Sequence, residues 1–83
     1  MVKYKYTYMV EPAGVITIYY AKLIKERDDG LVLLQPTEAM GKIVTPKDEV
    51  FDTLDAARRA VKKLKSNDPY FSSFIVREVI QNK

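Results

Sequence analysis

The amino-acid sequence predicts a mostly β (α+β) domain with the element order β-β-β-β-α-β. Apolar residues alternate with a period of two along the first half of the chain, and the period then changes to that of an amphipathic helix. Two glycine-containing turns, Glu11–Gly14 and Arg27–Gly30, separate the first three apolar segments, as in consecutive hairpins. With 83 residues, the chain is expected to form a single compact domain, 1–83.

The first predicted strand is Val2–Val10, with the sequence VKYKYTYMV. Strict alternation of tyrosine with lysine and threonine is typical of a strand that has one buried face. The tyrosines share their face with two valines, so we expect Tyr4, Tyr6 and Tyr8 to pack mainly into the core. Lys3 and Lys5 are expected to face water. The alternative interpretation is a stacking surface for nucleic-acid bases.

The next three segments are also predicted as strands. Val15–Lys25 has two largely apolar faces, which is typical of a central strand or of a strand that bends between two layers. Leu31–Gln35 is a short apolar run and is predicted as a buried third strand. Proline and glycine indicate a loop over 35–41, and Lys42–Thr45 is predicted as the fourth strand.

An amphipathic helix is predicted over 53–65, with Asp52 as its N-cap residue. The apolar residues recur at spacings of three and four, and acidic residues precede basic ones as the helix dipole favours. Ser66–Pro69 ends the helix, and Phe71–Ile80 is predicted as the last strand.

In element order the chain resembles an SH3-like, partly open barrel, in which the helix is a longer insertion before the last strand. The alternative is a small open antiparallel sheet with the helix packed across one face. The resemblance concerns the order of elements and implies no function by itself.

The composition argues against catalysis. The chain contains no cysteine and no histidine, so the usual nucleophile–base pairs and zinc ligands are missing. Its three glycines stand singly and form no phosphate-binding loop. The acidic residues near the helix start are attributed to capping rather than to metal binding. We therefore expect no enzyme activity, no cofactor and no metal site.

No apolar segment approaches the ~20 residues that cross a bilayer, and no signal-peptide pattern is found, so no membrane partner is expected. A chain without cysteine suits a reducing compartment, and the predicted location is cytoplasmic. The formal net charge of +3 is a weak pointer to polyanions.

The first functional hypothesis is a small protein–protein interaction module that uses exposed tyrosines and an open sheet edge. Tyr19 and Tyr20 are adjacent, so at least one faces away from the other, and together with Tyr8 they are the candidate contact residues. An open edge at Val2–Val10 or Phe71–Ile80 would also allow a homodimer by strand addition.

The alternative hypothesis is weak, sequence-independent binding of nucleic-acid phosphates by the helix 53–65. Its cations project onto one continuous sector that only Asp55 interrupts: Arg58, Arg59, Lys62, Lys63 and Lys65. The first four of these are the candidate phosphate-binding residues. A merely solvated helix face would have the same pattern. A steep loss of binding with salt would favour nucleic acid over a tyrosine-centred protein interface.

Overall fold

A computed structural model describes residues 3–37 and 41–80 and contains six strands and one α-helix within them. The strands are β1 (Tyr4–Glu11), β2 (Val15–Glu26), β3 (Leu31–Pro36), β4 (Ile43–Pro46), β5 (Val50–Phe51) and β6 (Ile75–Val79), and the helix is α1 (Leu54–Asn67). The predicted mostly β fold with one helix before the last strand is confirmed. Residues 38–40 of the predicted loop and Val2 of the predicted first strand lie outside the described residues.

The strands form one curved sheet, half of a barrel, in the order β4-β3-β2-β1-β5, and β6 pairs separately with β2. All pairs are antiparallel except β2 with β6, which run parallel from Val15↔Ile75 to Tyr19↔Val79. Within the described ranges, no helix is long and apolar enough to cross a bilayer.

The central strand is β2, as the sequence predicts. β1 covers one side of it, while β6 pairs with its first half and β3 with its second half on the other side. The register of the β2–β3 pair shifts between Leu23 and Lys25. Such a shift is typical of a β-bulge, which bends a strand and increases its twist.

Two small apolar cores lie on opposite faces of the sheet. The first core lies under α1 and contains Ile16, Ile18, Ala57, Val61 and Phe74. The second core lies inside the half-barrel and contains Ala21, Val32 and Leu34. Ile18 and Ala21 are an odd number of positions apart on β2, so their side chains point to opposite faces. Each core is small, which agrees with the limited burial available to a chain of this length.

The two predicted turns are present, and each depends on a glycine. The Gly14 N–H donates to the Glu11 carbonyl at 3.0 Å and closes the β1–β2 turn. Gly14 and Gly30 have φ angles of 94° and 84°, in the left-handed region that other residues rarely adopt. These glycines therefore set where the first two hairpins reverse direction.

The start of α1 differs from the prediction. Thr53, not Asp52, is the N-cap residue, because its hydroxyl accepts a hydrogen bond from the Ala56 N–H at 3.1 Å. The Asp52 carboxylate instead accepts a hydrogen bond from the Lys5 ammonium group. Lys5 pulls the pKa of Asp52 below its usual value, mainly through this hydrogen bond.

The last strand is shorter than the predicted Phe71–Ile80. Pro69–Phe71 forms a 3₁₀ turn that is capped by the Asp68 carboxylate, which accepts from the Tyr70 N–H at 3.0 Å. Proline at the first position of this turn favours the helical conformation over an extended one. The chain becomes extended only at Ile75.

Candidate functional site

The three candidate contact tyrosines lie in different environments. Tyr19 is 6% exposed and lies on the same face of β2 as the second core, so its ring belongs to the interior. This corrects the expectation that Tyr19 contributes to an exposed contact surface. Tyr8 and Tyr20 are half-buried, and their role in binding stays a prediction. Burial raises the pKa of Tyr8, and the carboxylates of Glu49 and Asp48 raise it further.

The tyrosine face of β1 packs mainly against the first core. Tyr6 and Tyr8 contact the core residues under α1, as predicted. Tyr20 joins this row from β2: its ring stacks on Tyr4 at 4.9 Å between centroids and lies 5.1 Å from Tyr6. Only Tyr4, at the end of the row, is substantially exposed, at 43%. Aromatic pairs of this geometry stabilise a sheet by about 0.5–1.5 kcal/mol beyond their buried area.

The opposite face of β1 is less solvated than the sequence predicts. Thr7 is fully buried, and its hydroxyl donates to the Glu49 carbonyl at 2.7 Å. Lys5 is largely buried along its length and binds Asp52, whereas Lys3 is exposed. The expectation of two lysines in open water therefore holds for Lys3 alone, because Lys5 is partly buried and paired with Asp52.

The open edge of the sheet is β6. It pairs with β2 along one side, and within residues 3–37 and 41–80 no strand pairs with its other side, here called the free side. The Ile75 N–H donates to the Gly14 carbonyl at 2.9 Å, towards β2. Backbone groups alternate in direction along a strand, so Val76 and Glu78 direct their N–H and C=O groups to the free side.

The side chains of β6 leave this free side accessible. Ile75 is 68% exposed and Val76 is 40% exposed, on opposite faces of the strand. Exposed apolar residues on an unpaired edge strand are unusual, because natural proteins commonly protect such edges with charge. The charged residues of β6 have partners within the domain: Glu78 binds Arg58, and Arg77, which stays 58% exposed, approaches Glu11.

Glu78 binds Arg58 of α1 through two hydrogen bonds, from Nε at 2.6 Å and from Nη2 at 2.9 Å. The hydrogen bonds and charge of this guanidinium lower the pKa of Glu78. On the other face, Arg77 lies 3.4 Å from a Glu11 carboxylate oxygen that also accepts from the Thr17 hydroxyl at 2.7 Å. These contacts attach β6 to its neighbours and pair its charges with groups of opposite sign.

A groove of about 400 Å³ separates α1 from β6, here called the basic groove. Its floor is apolar, and its walls carry cations and hydroxyls: Val61, Val76, Arg58, Lys62, Lys65, Ser66 and Ser72 line it. None of these residues is acidic. Neither Lys62 nor Lys65 forms an ion pair with any other described residue.

The four candidate phosphate-binding residues differ in their ion-pair partners and in their position relative to the basic groove. Arg58 is engaged by Glu78 and lies 3.6 Å from Asp55. Arg59, Lys62 and Lys63 are exposed and have no ion-pair partner in the described part of the chain. Lys62 lines the basic groove, whereas Arg59 and Lys63 do not.

Sequence reasoning missed the basic groove. Lys65 and Lys62 are visible on the helical projection, but Ser72 and Val76 come from a separate segment that only the fold brings beside them. In the described ranges, no three carboxylates are grouped so that they could ligate a metal ion.

Comparison with known proteins finds no match to any family model, curated protein or solved structure.

Proposed function

We propose that this domain is a small non-catalytic protein-binding module that pairs the free side of β6 with an extended segment of a partner protein. The observation that supports the proposal is the outward backbone of Val76 and Glu78, which no strand of the described residues pairs with, beside exposed Ile75. Addition of a strand to such an edge is a common mode of peptide recognition, in which backbone hydrogen bonds supply affinity.

The expected affinity is modest. Two residues offer four outward backbone groups, and each hydrogen bond contributes about 0.5–1.5 kcal/mol net. Burial of the Ile75 and Val76 side chains adds about 25 cal/mol per Å² of apolar surface. Ordering the partner segment offsets part of this gain, so we expect dissociation constants in the micromolar range or weaker. Such binding is suited to a transient contact.

A second copy of this chain is a less favourable partner. Antiparallel pairing of all five β6 residues with their symmetry mates centres on Arg77, because Ile75 and Val79 lie equally far from it. The two Arg77 side chains would then stand directly opposite each other. Like charges in this position destabilise a strand pair. A homodimer through β6 is therefore an outcome to be tested rather than the main proposal.

The proposal is tested by selecting binders from a displayed library of random dodecapeptides and comparing two variants. Val76→Pro removes the outward N–H without removing any hydrogen bond to β2, as proline is tolerated at such edge positions. Val76→Thr keeps the N–H and the branched shape. Selected peptides should bind the wild type and Val76→Thr, and bind Val76→Pro at least tenfold more weakly. Equal binding to all three would refute docking at β6.

Amide hydrogen exchange provides an independent readout on the free protein and on its complex. In the free protein, the Val76 and Glu78 amides should exchange much faster than those of Ile75 and Arg77. A bound peptide should slow the first pair selectively. Slow exchange at Val76 before any peptide is added would mean that the edge is already covered.

Weak binding of nucleic-acid phosphates remains the second candidate function, favoured by the exposed and unpaired state of Arg59, Lys62 and Lys63 in the described part of the chain. Fluorescence anisotropy with labelled single- and double-stranded oligonucleotides at low and moderate salt tests it. Binding should weaken steeply with salt and be lost in the double variant Lys62→Glu/Lys63→Glu. This variant leaves Arg58 in place to hold Glu78. Salt-independent binding, or none at low salt, would eliminate this candidate.

The proposed location is the cytoplasm, because a chain without cysteine needs no oxidising compartment in which to form disulfides. A fluorescent fusion to the chain in its native host would test this, and accumulation in another compartment would contradict it.

A further inference from the structure

We infer that the segment that docks on β6 is an acidic strand, in which carboxylate side chains alternate with apolar ones and the carboxylates lie in the basic groove. The inference rests on the proposed function, because strand addition to β6 is what brings the segment to this groove. A docked strand would present different side chains to the two faces of the sheet.

A strand that pairs with the free side of β6 lies ~4.8 Å beyond it, and its side chains point alternately to the two faces of the sheet. One face is that of Val76, which is also the face covered by α1. Every second side chain of the partner would therefore point towards the flank of α1 that carries Lys62 and Lys65. The remaining side chains would point to the face of Ile75.

The two faces differ in chemistry. The groove face offers the ammonium groups of Lys62 and Lys65 and the hydroxyls of Ser66 and Ser72. Glu78 lies on the same face, but its carboxylate is held by Arg58 through two hydrogen bonds. Carboxylates complement these donors in charge and in hydrogen bonding. On the other face, Ile75 is 68% exposed, and Arg77 is directed to Glu11. An apolar partner residue fits there, so the two faces together select an alternating acidic and apolar pattern.

A peptide is favoured over a nucleic acid as the occupant. The free side of β6 presents both N–H donors and C=O acceptors, and a peptide backbone supplies the complementary alternation. A phosphodiester backbone supplies acceptors only and would leave the carbonyls of Val76 and Glu78 unpaired. A phosphate group also offers no apolar contact to the exposed Ile75 side chain.

The inference is tested with four labelled probes in fluorescence anisotropy. The first is an octapeptide of alternating valine and glutamate, and the second replaces glutamate by lysine. The third has the first peptide's composition, with the four valines preceding the four glutamates. The fourth is a short oligodeoxythymidine. The alternating acidic peptide should bind at least ~10-fold more tightly than each of the other two peptides, since it alone combines charge with register.

Protein variants locate the effect. Lys62→Glu/Lys65→Glu should weaken the alternating acidic peptide by at least ~10-fold, because two attractive contacts become repulsive. Arg59→Glu/Lys63→Glu makes the same change in net charge outside the groove, and it should weaken binding of the alternating acidic peptide by less than ~3-fold. Val76→Pro should abolish binding, and Val76→Thr should not. Circular dichroism of each variant checks that the fold is kept.

The outcomes separate this inference from the proposed function. Equal binding of the acidic and basic alternating peptides, with both lost in Val76→Pro, overturns the acidic partner and keeps strand docking. Binding that survives Val76→Pro overturns strand docking itself. Binding of the oligonucleotide alone, lost in Lys62→Glu/Lys65→Glu, assigns the groove to nucleic acid and overturns the inference. No binding of any probe at millimolar concentration also overturns it, while the library selection decides the proposed function.

Discussion

Packing of α1 against the first half of β2 is the contact on which the first core depends, and truncation of Ile18 tests it quantitatively. Ile18 is fully buried between the sheet and the helix. Ile18→Val removes one methylene and should cost about 0.5–1.5 kcal/mol of unfolding free energy. Ile18→Ala removes three carbons, for a transfer loss of about 2.4 kcal/mol plus a cavity term, within the usual range of about 2–5 kcal/mol.

The assay is urea denaturation followed by far-ultraviolet circular dichroism. A domain of this size is expected to be stable by about 4–12 kcal/mol, so Ile18→Ala removes a large fraction of the total. With a slope of about 1 kcal/mol per molar urea, the midpoint should fall by about 0.5–1.5 M for Ile18→Val and by 2 M or more for Ile18→Ala.

Ile24 supplies a matched control, because it is an isoleucine of the same strand that remains 39% exposed. Ile24→Val and Ile24→Ala should each cost less than half of the corresponding Ile18 change. If the two alanine variants shifted the midpoint equally, Ile18 would not be covered by α1, and the description of the first core would be refuted.

Three further predictions concern the helix and its contacts. Leu64→Ala should cost about 2 kcal/mol, near the low end for leucine truncation, since Leu64 is only half-buried, and an unchanged denaturation midpoint would contradict its packing on the first core. Thr53→Ala should cost about 1 kcal/mol in the same assay through loss of the N-cap. No measurable cost would contradict the assignment of Thr53 as the cap residue. Glu78→Gln should lower the melting temperature at neutral pH, because it removes the charge that Arg58 binds. Arg58 lowers the pKa of Glu78 in the folded state. The stabilisation by this pair is therefore fully present above the unfolded-state pKa of Glu78 and is lost as the pH falls through its folded-state pKa. Melting curves of wild type and variant that stay separated in strong acid would refute that pairing.

Local patterns predicted the elements well. The alternation of Val2–Val10, the Asp-Gly turn at Gly30 and the 3.6-residue period of the helix are each determined by a few neighbouring residues. β5 was not predicted as a strand, because two residues are too short to show any period. Val50 and Phe51 were only expected to return to the core, and their pairing with Thr7 and Tyr6 depends on where β1 lies.

Non-local pairing was the part that the sequence could not reveal. Tyr19 and Tyr20 alternate as expected, but both faces of the bent central strand are covered, so the pattern could not show which ring is exposed. The sequence left the open edge at either Val2–Val10 or Phe71–Ile80. β1 pairs with β2 on one side and, at Tyr6 and Thr7, with β5 on the other. The parallel pairing of β6 with Val15–Tyr19 was not predicted. The basic groove follows from that pairing, since it forms only where β6 lies beside α1.

The parallel pairing of β2 with β6 joins residues that stand sixty positions apart in the chain. Val15–Tyr19 is synthesised before Ile75–Val79, so a β1–β2 hairpin that forms early leaves the β6 side of β2 unpaired until the end of the chain is made. The apolar stretch from Val15 to Tyr20 is then a template for strands of other nascent chains. Slow translation between α1 and β6 should therefore lower the yield of native protein, and a co-expressed peptide with the sequence of β6 should restore part of it.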